Sequence, residues 1–261
     1  MEKLAVGIIG ASGRMGMMTI EAVIDDSTAS IGGGLVRRNN HMIGRDIGSI
    51  VGRDPIAIAA TDNTAKVFSE SDVIIDFSLP DAFTEILSMA VKTSTPIVIG
   101  TTGLTKMQEG TINDAARTIA LVYASNTSLG INLLFAIIEQ ISKALPTDFD
   151  IDILDFHHNK KIDAPSGTAL SLGKAAAKGR EMNFDEVAKL SREGEVGCRP
   201  SGEIGFAALR GGNVIGEHSV IFAGAGERLE VSHKTSGREI YAAGALRAAH
   251  WVSNQSNGLY S

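Results

Sequence analysis

Two adjacent histidines, two adjacent lysines and an aspartate fall within seven residues of this chain, in the segment His157-His158-Asn159-Lys160-Lys161-Ile162-Asp163. A histidine exchanges a proton near neutral pH. A lysine donates one, most readily where cationic neighbours or partial burial lower its pKa. The segment runs on through Ala164-Pro165 into Ser166-Gly167-Thr168, a helix start at which backbone N–H groups can seat a carboxylate. One stretch therefore offers a proton donor, positive charge and an anion seat. Two other readings stay open. A zinc site would use the histidines, but neighbours on a strand point apart and no third ligand stands at a diagnostic spacing, so no metal is expected. A solvated basic loop that merely caps a helix needs no ligand.

A second motif lies at the other end of the chain. Gly10-Ala11-Ser12-Gly13-Arg14-Met15-Gly16 follows a strand-like run and opens a helix. Glycine lets the backbone approach a pyrophosphate, and the helix N-terminus offers free N–H groups and partial positive charge. The spacing is G-x-x-G-x-x-G, and a plain tight turn is the competing reading. The next strand ends at Val36-Arg37-Arg38, where an NAD site usually carries an acidic residue. A guanidinium suits a 2′-phosphate instead, so NADPH is expected to be preferred over NADH; a solvated basic loop is the alternative. Gly100-Thr101-Thr102-Gly103 and Ala124-Ser125-Asn126-Thr127 each follow a strand and can line a nicotinamide ring, although glycine and threonine are common in any turn.

These residues need elements to position them. Strand-like runs at Leu4–Ile9, Ser30–Val36, Asp72–Phe77, Pro96–Ile99 and Ile119–Tyr123 alternate with helical spacing at Arg14–Ile24, Asp81–Lys92 and Thr105–Arg117; Ile56–Ala60 is one more short apolar run. Such alternation predicts an α/β fold with a Rossmann-like parallel sheet. After Tyr123 the pattern changes. A long apolar helix spans Gly130–Leu145, a strand Phe149–Phe156 and a helix Ser166–Lys178. Residues 179–200 read as polar and irregular. Strand-like runs at Gly202–Arg210, Asn213–Phe222 and Arg228–His233 then predict a second, α+β domain with a mixed sheet. Ser236–Val252 closes the chain as a helix. The expected division is a dinucleotide-binding domain over 1–127, joined by the returning segment 236–261, and a substrate-binding and oligomerisation domain over 128–235.

Composition narrows the function. The 261 residues carry 24 basic and 30 acidic side chains, a net charge of −6, which argues against nucleic-acid binding by bulk charge. No apolar run is long enough to span a membrane and no signal pattern stands at the N-terminus, so a cytoplasmic protein without a membrane partner is expected. The single cysteine, Cys198, fits a reducing compartment and lies in a polar stretch with no base beside it. That weighs against a semialdehyde dehydrogenase. A non-enzymatic NAD(P)H sensor is a further rival, but it has no use for clustered proton donors.

The segment His-His-x-x-Lys-x-Asp-Ala-Pro-Ser-Gly-Thr-Ala resembles the signature of the 4-hydroxy-tetrahydrodipicolinate (dihydrodipicolinate) reductase family. The likeness takes in Gly10–Gly16, Gly100–Gly103, Ala124–Thr127, Gly205–Arg210, Val214–His218 and Gly226–Glu230. The resemblance implies NAD(P)H-dependent reduction of 4-hydroxy-tetrahydrodipicolinate to tetrahydrodipicolinate in lysine and diaminopimelate biosynthesis, by a homotetramer built through the sheets of the substrate domain. It implies His157 as proton donor or acceptor, and Lys161 as the donor that protonates the substrate. It implies contacts from His158, Gly167 and Thr168 to the carboxylates of a small dicarboxylate, and Arg37 at the 2′-phosphate. The substrate ring would bind across the domain cleft against the nicotinamide. Two departures stand out. Val36 replaces an acidic residue of some relatives, which disfavours NADH, and Thr127 replaces an aromatic one near the nicotinamide.

Overall fold

The computed structural model describes residues 2–261. The chain divides into two compact units, Met1–Ser128 together with Arg238–Ser261, and Leu129–Gly237.

In the first unit, strands β1 (Leu4–Ile9), β2 (Ala29–Leu35), β3 (Val73–Asp76), β4 (Ile97–Ile99) and β5 (Ala120–Tyr123) alternate with helices. These are α1 (Arg14–Asp25), α2 (Ile47–Ile50), α3 (Thr64–Ser69), α4 (Pro80–Thr93) and α5 (Lys106–Ala115). With one further strand from the end of the chain they form a six-stranded sheet in which every pairing is parallel. They are short, nearly continuous apolar runs because both faces are covered. One face carries Val6, Ile8, Val73 and Ile75 against Ile20 and Val23 of α1. The other carries Ile9, Ile74, Ile97 and Leu121 against Phe83, Ile86 and Ala90 of α4. A parallel sheet collects all its strand ends on one edge, so the loops after β1 to β5 share that edge.

The second unit starts with α6 (Leu129–Ala144), then β6 (Asp150–His157), α7 (Gly167–Gly179), α8 (Phe184–Val187), β7 (Ala188–Lys189), β8 (Ile204–Arg210), β9 (Glu217–Ala223) and β10 (Arg228–Lys234). Its sheet runs β10-β9-β6-β8-β7. It is mixed: β6 pairs antiparallel with β9 and parallel with β8. The apolar positions of α6 and α7, among them Ile131, Leu134, Ile138, Leu172 and Ala176, pack on Ile151, Ile153, Val220 and Phe222 of one sheet face. The chain then returns to the first unit as α9 (Glu239–Val252), whose Ala245, Leu246, Ala249 and Val252 join the core beside α1.

Several expectations need correction. A sixth parallel strand, β11 (Gly258–Tyr260), extends the first sheet beside β5. A three-residue edge strand carries too little periodicity to be read from sequence. The helices α2 and α3 were likewise missed; each begins at a side-chain cap, Asp46 and Asn63, that resembles any polar turn. Ile56–Ala60 joins no named strand and makes only a bridge from Ala59 to Asp46. The run over 213–222 becomes a strand only at Glu217, because the Gly211-Gly212-Asn213 turn must first be completed. Within 179–200 the short elements α8 and β7 break the irregular stretch. Among the described residues no helix is long and apolar enough to cross a membrane.

Candidate active site

Strand periodicity builds the centre of the site. Ile151, Ile153, Asp155 and His157 are the buried positions of β6, two residues apart, so all four face the same side. The isoleucines enter the core. Asp155 and His157 occupy the C-terminal end of the same face. Register supplies the rest: His218 of β9 stands opposite Asp155, and Arg210 of β8 opposite His157. His158 follows directly after the strand and is half-buried.

Asp155 has no solvent exposure. Burying a lone carboxylate costs several kcal/mol, so it must be paired. Its Oδ1 lies 2.5 Å from His157 Nδ1. Its Oδ2 accepts the Ser166 N–H at 2.7 Å and faces Arg210 Nη2 at 3.3 Å. Burial alone would raise its pKa, but His157, the Ser166 N–H and Arg210 outweigh burial and hold the carboxyl well below the usual carboxylate range. His218 is pushed down to about 4, by burial first and by His157 second, against the pull of Asp155. It is therefore neutral at physiological pH, with Nε2 at 3.1 Å from the Ser166 hydroxyl. Asp155, His157 and His218 offer ligand atoms within 4.8 Å of one another. The Arg210 guanidinium already neutralises that carboxylate, so the donor set resembles a proton-handling network more than a cation site.

Lys161 sits on the loop between β6 and α7. Its Nζ pairs with Asp163 Oδ1 at 2.8 Å, with the lysine side chain 20% exposed. Burial tends to raise the Asp163 pKa, but the hydrogen bond from Lys161 prevails and keeps it low. Arg210 Nη2 also donates to the Asp163 carbonyl at 2.7 Å. One guanidinium thus ties the loop of Lys161 to the carboxylate beside His157. The Lys161 N–H bonds the His158 carbonyl, and the His158 ring accepts the Lys160 N–H, which shapes the start of the loop. Ser166 caps α7 through its hydroxyl, which accepts the Ala169 N–H at 3.2 Å. Gly167 opens the first turn of α7 and is exposed beside open space.

The first unit collects the remaining candidates on its strand-end edge. Gly10 turns the chain with φ +79°, and its N–H and that of Ala11 bond the Leu35 carbonyl. Gly16 packs so closely on Gly10 that a Cβ there would lie 2.1 Å from the Gly10 carbonyl oxygen. Gly13 caps α1 with no side chain across the helix end. Ser12 is joined by Asn40 of the loop after β2, at 3.1 Å. Arg14, Arg37 and Arg38 are exposed, and among the described residues none of them has an ion-pair partner. A bare glycine-edged helix start with free guanidinium groups nearby fits a dinucleotide phosphate, and Met15 is half-buried behind it. Buried Asp76, at the end of β3, accepts the Ser78 N–H and the Thr101 hydroxyl, so it ties the loop after β3 to the one after β4; burial raises its pKa. Thr102 is exposed beside it. Gly100, Ala124, Ser125 and Asn126 lie on the same edge, whereas the Thr127 hydroxyl donates to the Tyr241 carbonyl at 2.7 Å and so faces α9.

Sequence reasoning did not assign roles to Asp155, Arg210, His218 or Asp76. The period of β6 could have paired Asp155 with His157. Nothing local could have brought Arg210 and His218 to them, because strand pairing does that.

Residues 4–127 match the family model for the N-terminus of dihydrodipicolinate reductase, and residues 130–261 that for its C-terminus. A 4-hydroxy-tetrahydrodipicolinate reductase of Ruegeria pomeroyi is 44% identical, over 97% of this chain and 94% of the relative. One from Bartonella bacilliformis is 46% identical, over 97% and 95%. The solved structure of a dipicolinate-bound dihydrodipicolinate reductase from Paenisporosarcina sp. TG-14 shares the fold, with a TM-score of 0.77 at 20% identity, covering 98% of this chain and 97% of that one. Matched on both halves and along nearly its whole length, the chain belongs to the dihydrodipicolinate reductase family of oxidoreductases.

Proposed function

We propose that this protein reduces 4-hydroxy-tetrahydrodipicolinate to tetrahydrodipicolinate with NAD(P)H, in lysine and diaminopimelate biosynthesis. The observation that carries the reading is the linkage of two proton donors. Asp155 and Arg210 join His157 to the loop of Lys161, directly before the N-terminus of α7. His158, Gly167 and Thr168 hold the substrate carboxylates. When bound, a reduced nicotinamide would supply hydride to the ring carbon of the substrate. Negative charge then grows on the ring nitrogen, and Lys161 or His157 delivers the proton that meets it. General acid help of this kind is worth about 10²–10⁴ in rate. The hydroxylated substrate also loses water.

The edge formed by Gly10–Met15, Gly100–Thr102 and Ala124–Thr127 holds the cofactor, with Thr127 contributing backbone. Arg37 takes the 2′-phosphate, so NADPH is preferred and NADH serves less well. The protein acts in the cytoplasm as a homotetramer joined through the second unit's sheets. Leu209 and Leu229, 47% and 41% exposed on β8 and β10, support that association as apolar surface it would cover.

A coupled assay tests the activity. Pyruvate and aspartate semialdehyde with the preceding synthase generate the substrate in place, and nicotinamide absorbance is followed with NADPH and NADH in parallel. Synthase-dependent oxidation is expected. No oxidation by folded protein that still binds NADPH rejects the substrate.

A further inference from the structure

We infer that Asp155 is a positioning residue for the reduction: it holds the imidazole of His157 by Nδ1, so that Nε2 is the nitrogen that exchanges a proton with the substrate. The inference rests on the assignment of His157 to proton transfer.

The geometry around the pair is closed. Asp155 Oδ1 and His157 Nδ1 stand 2.5 Å apart in a close charge-pair contact. Both atoms are sealed from solvent and neither makes a hydrogen bond of ordinary angle to any other group, so each is the other's nearest polar neighbour. The carboxylate cannot swing away, because its other oxygen is held by the Ser166 N–H and by Arg210. A neutral imidazole carries one proton, and the nitrogen facing an ionised carboxylate keeps it. That leaves Nε2 to work. The Nε2 flank is kept clear by Gly216, where a Cβ would lie 3.0 Å from that nitrogen. His218 does not compete for the carboxylate: its Nε2 is 3.7 Å from Asp155 Oδ1 and closer to the Ser166 hydroxyl. Its ring braces His157 edge-on, with centroids 5.1 Å apart.

The same carboxylate sets the start of α7. Ser166 gives Asp155 its N–H and caps the helix with its hydroxyl, so one side chain fixes both the proton donor and the proposed carboxylate seat. Charged and titratable groups facing this centre come from every strand around it. They are Arg210 of β8, His218 of β9 and His233 of β10, with Lys161 and Asp163 from the loop.

The test is a double-mutant cycle of Asp155→Asn, His157→Ala and their combination, in the synthase-coupled assay with NADPH binding measured separately. Asp155→Asn is expected to lower kcat about 10–100-fold and leave NADPH binding unchanged. In the His157→Ala background the Asn substitution should add almost nothing. Independent, multiplying losses overturn the inference. Full turnover by His157→Ala instead rejects the role of His157 itself, a different outcome. A second measurement needs no variant. The ¹H–¹⁵N histidine spectrum of the wild-type protein should show neutral His157 protonated on Nδ1, and protonation on Nε2 overturns the proposal even where Asp155→Asn fails to fold.

Discussion

His218 gives the protein a pH-dependent stability whose size and window follow from its surroundings. It is only 4% exposed, and burial and the nearby His157 hold it at about 4 against an ordinary value of 6.5. Above pH 6.5 the ring is neutral in both folded and unfolded chains and contributes no pH dependence. As pH falls from 6.5 to about 4 the unfolded chain takes up a proton that the folded chain refuses, so stability falls. At about 1.4 kcal/mol per pH unit the loss amounts to about 3 kcal/mol, complete near pH 4. Asp155 acts in the opposite range. Its depressed pKa adds stability that is present above the unfolded value of 3.8 and is lost only at lower pH. The two windows therefore hardly overlap. The perturbation is His218→Gln, which keeps a hydrogen-bonding group for Ser166 and removes the titration. Urea denaturation followed by circular dichroism at steps from pH 7.5 to 4.5 gives unfolding free energies for both proteins. Groups that do not interact with His218 cancel in the difference. The wild type should lose most of about 3 kcal/mol relative to the variant across this range. If two transitions separate, the one that shifts belongs to Leu129–Gly237. A difference curve flat with pH would refute the account of a neutral, buried His218.

Three further outcomes are expected. Lys161→Ala should lower kcat about 10²–10⁴-fold while fluorescence titration shows NADPH binding retained; a loss of cofactor binding would move Lys161 out of the substrate site. Arg37→Ala should weaken NADPH by about 1.5–3 kcal/mol, the range of a hydrogen bond to a charged group, and leave NADH almost unchanged; equal weakening of both rejects the 2′-phosphate assignment. Gly16→Ala drives a Cβ toward the Gly10 carbonyl, which only backbone movement can relieve, and should cost about 1–3 kcal/mol in thermal unfolding. An unchanged melting temperature would show that α1 does not pack as closely on β1 as described.

Much of the fold was legible because its signals are local. The apolar runs of β1, β3 and β5 are nearly continuous, as strands covered on both faces must be, and Ser166 and Pro80 mark helix starts by chemistry that acts within one turn. The short pieces were not legible. Four residues of α2 and three of β11 complete barely one repeat each, and their neighbours stabilise them more than their own sequence does.

The site divides along the same line. Sequence alone determined which side chains could carry protons and anions, because His157, Lys161 and the start of α7 lie within a dozen residues on one strand, loop and helix start. The two-residue period of a strand would also have put Asp155 and His157 on one face, but the strand read from sequence stops at Phe156, one residue short of His157. Only the tertiary structure decided what surrounds them. His218 and Arg210 reach Asp155 through the pairing of β6 with β9 and β8, across more than 50 residues of chain. Burial then turns that pairing into chemistry. Away from water a carboxylate is costly unless paired, so the buried face draws in the arginine, the cap and the histidine that decide which nitrogen holds a proton.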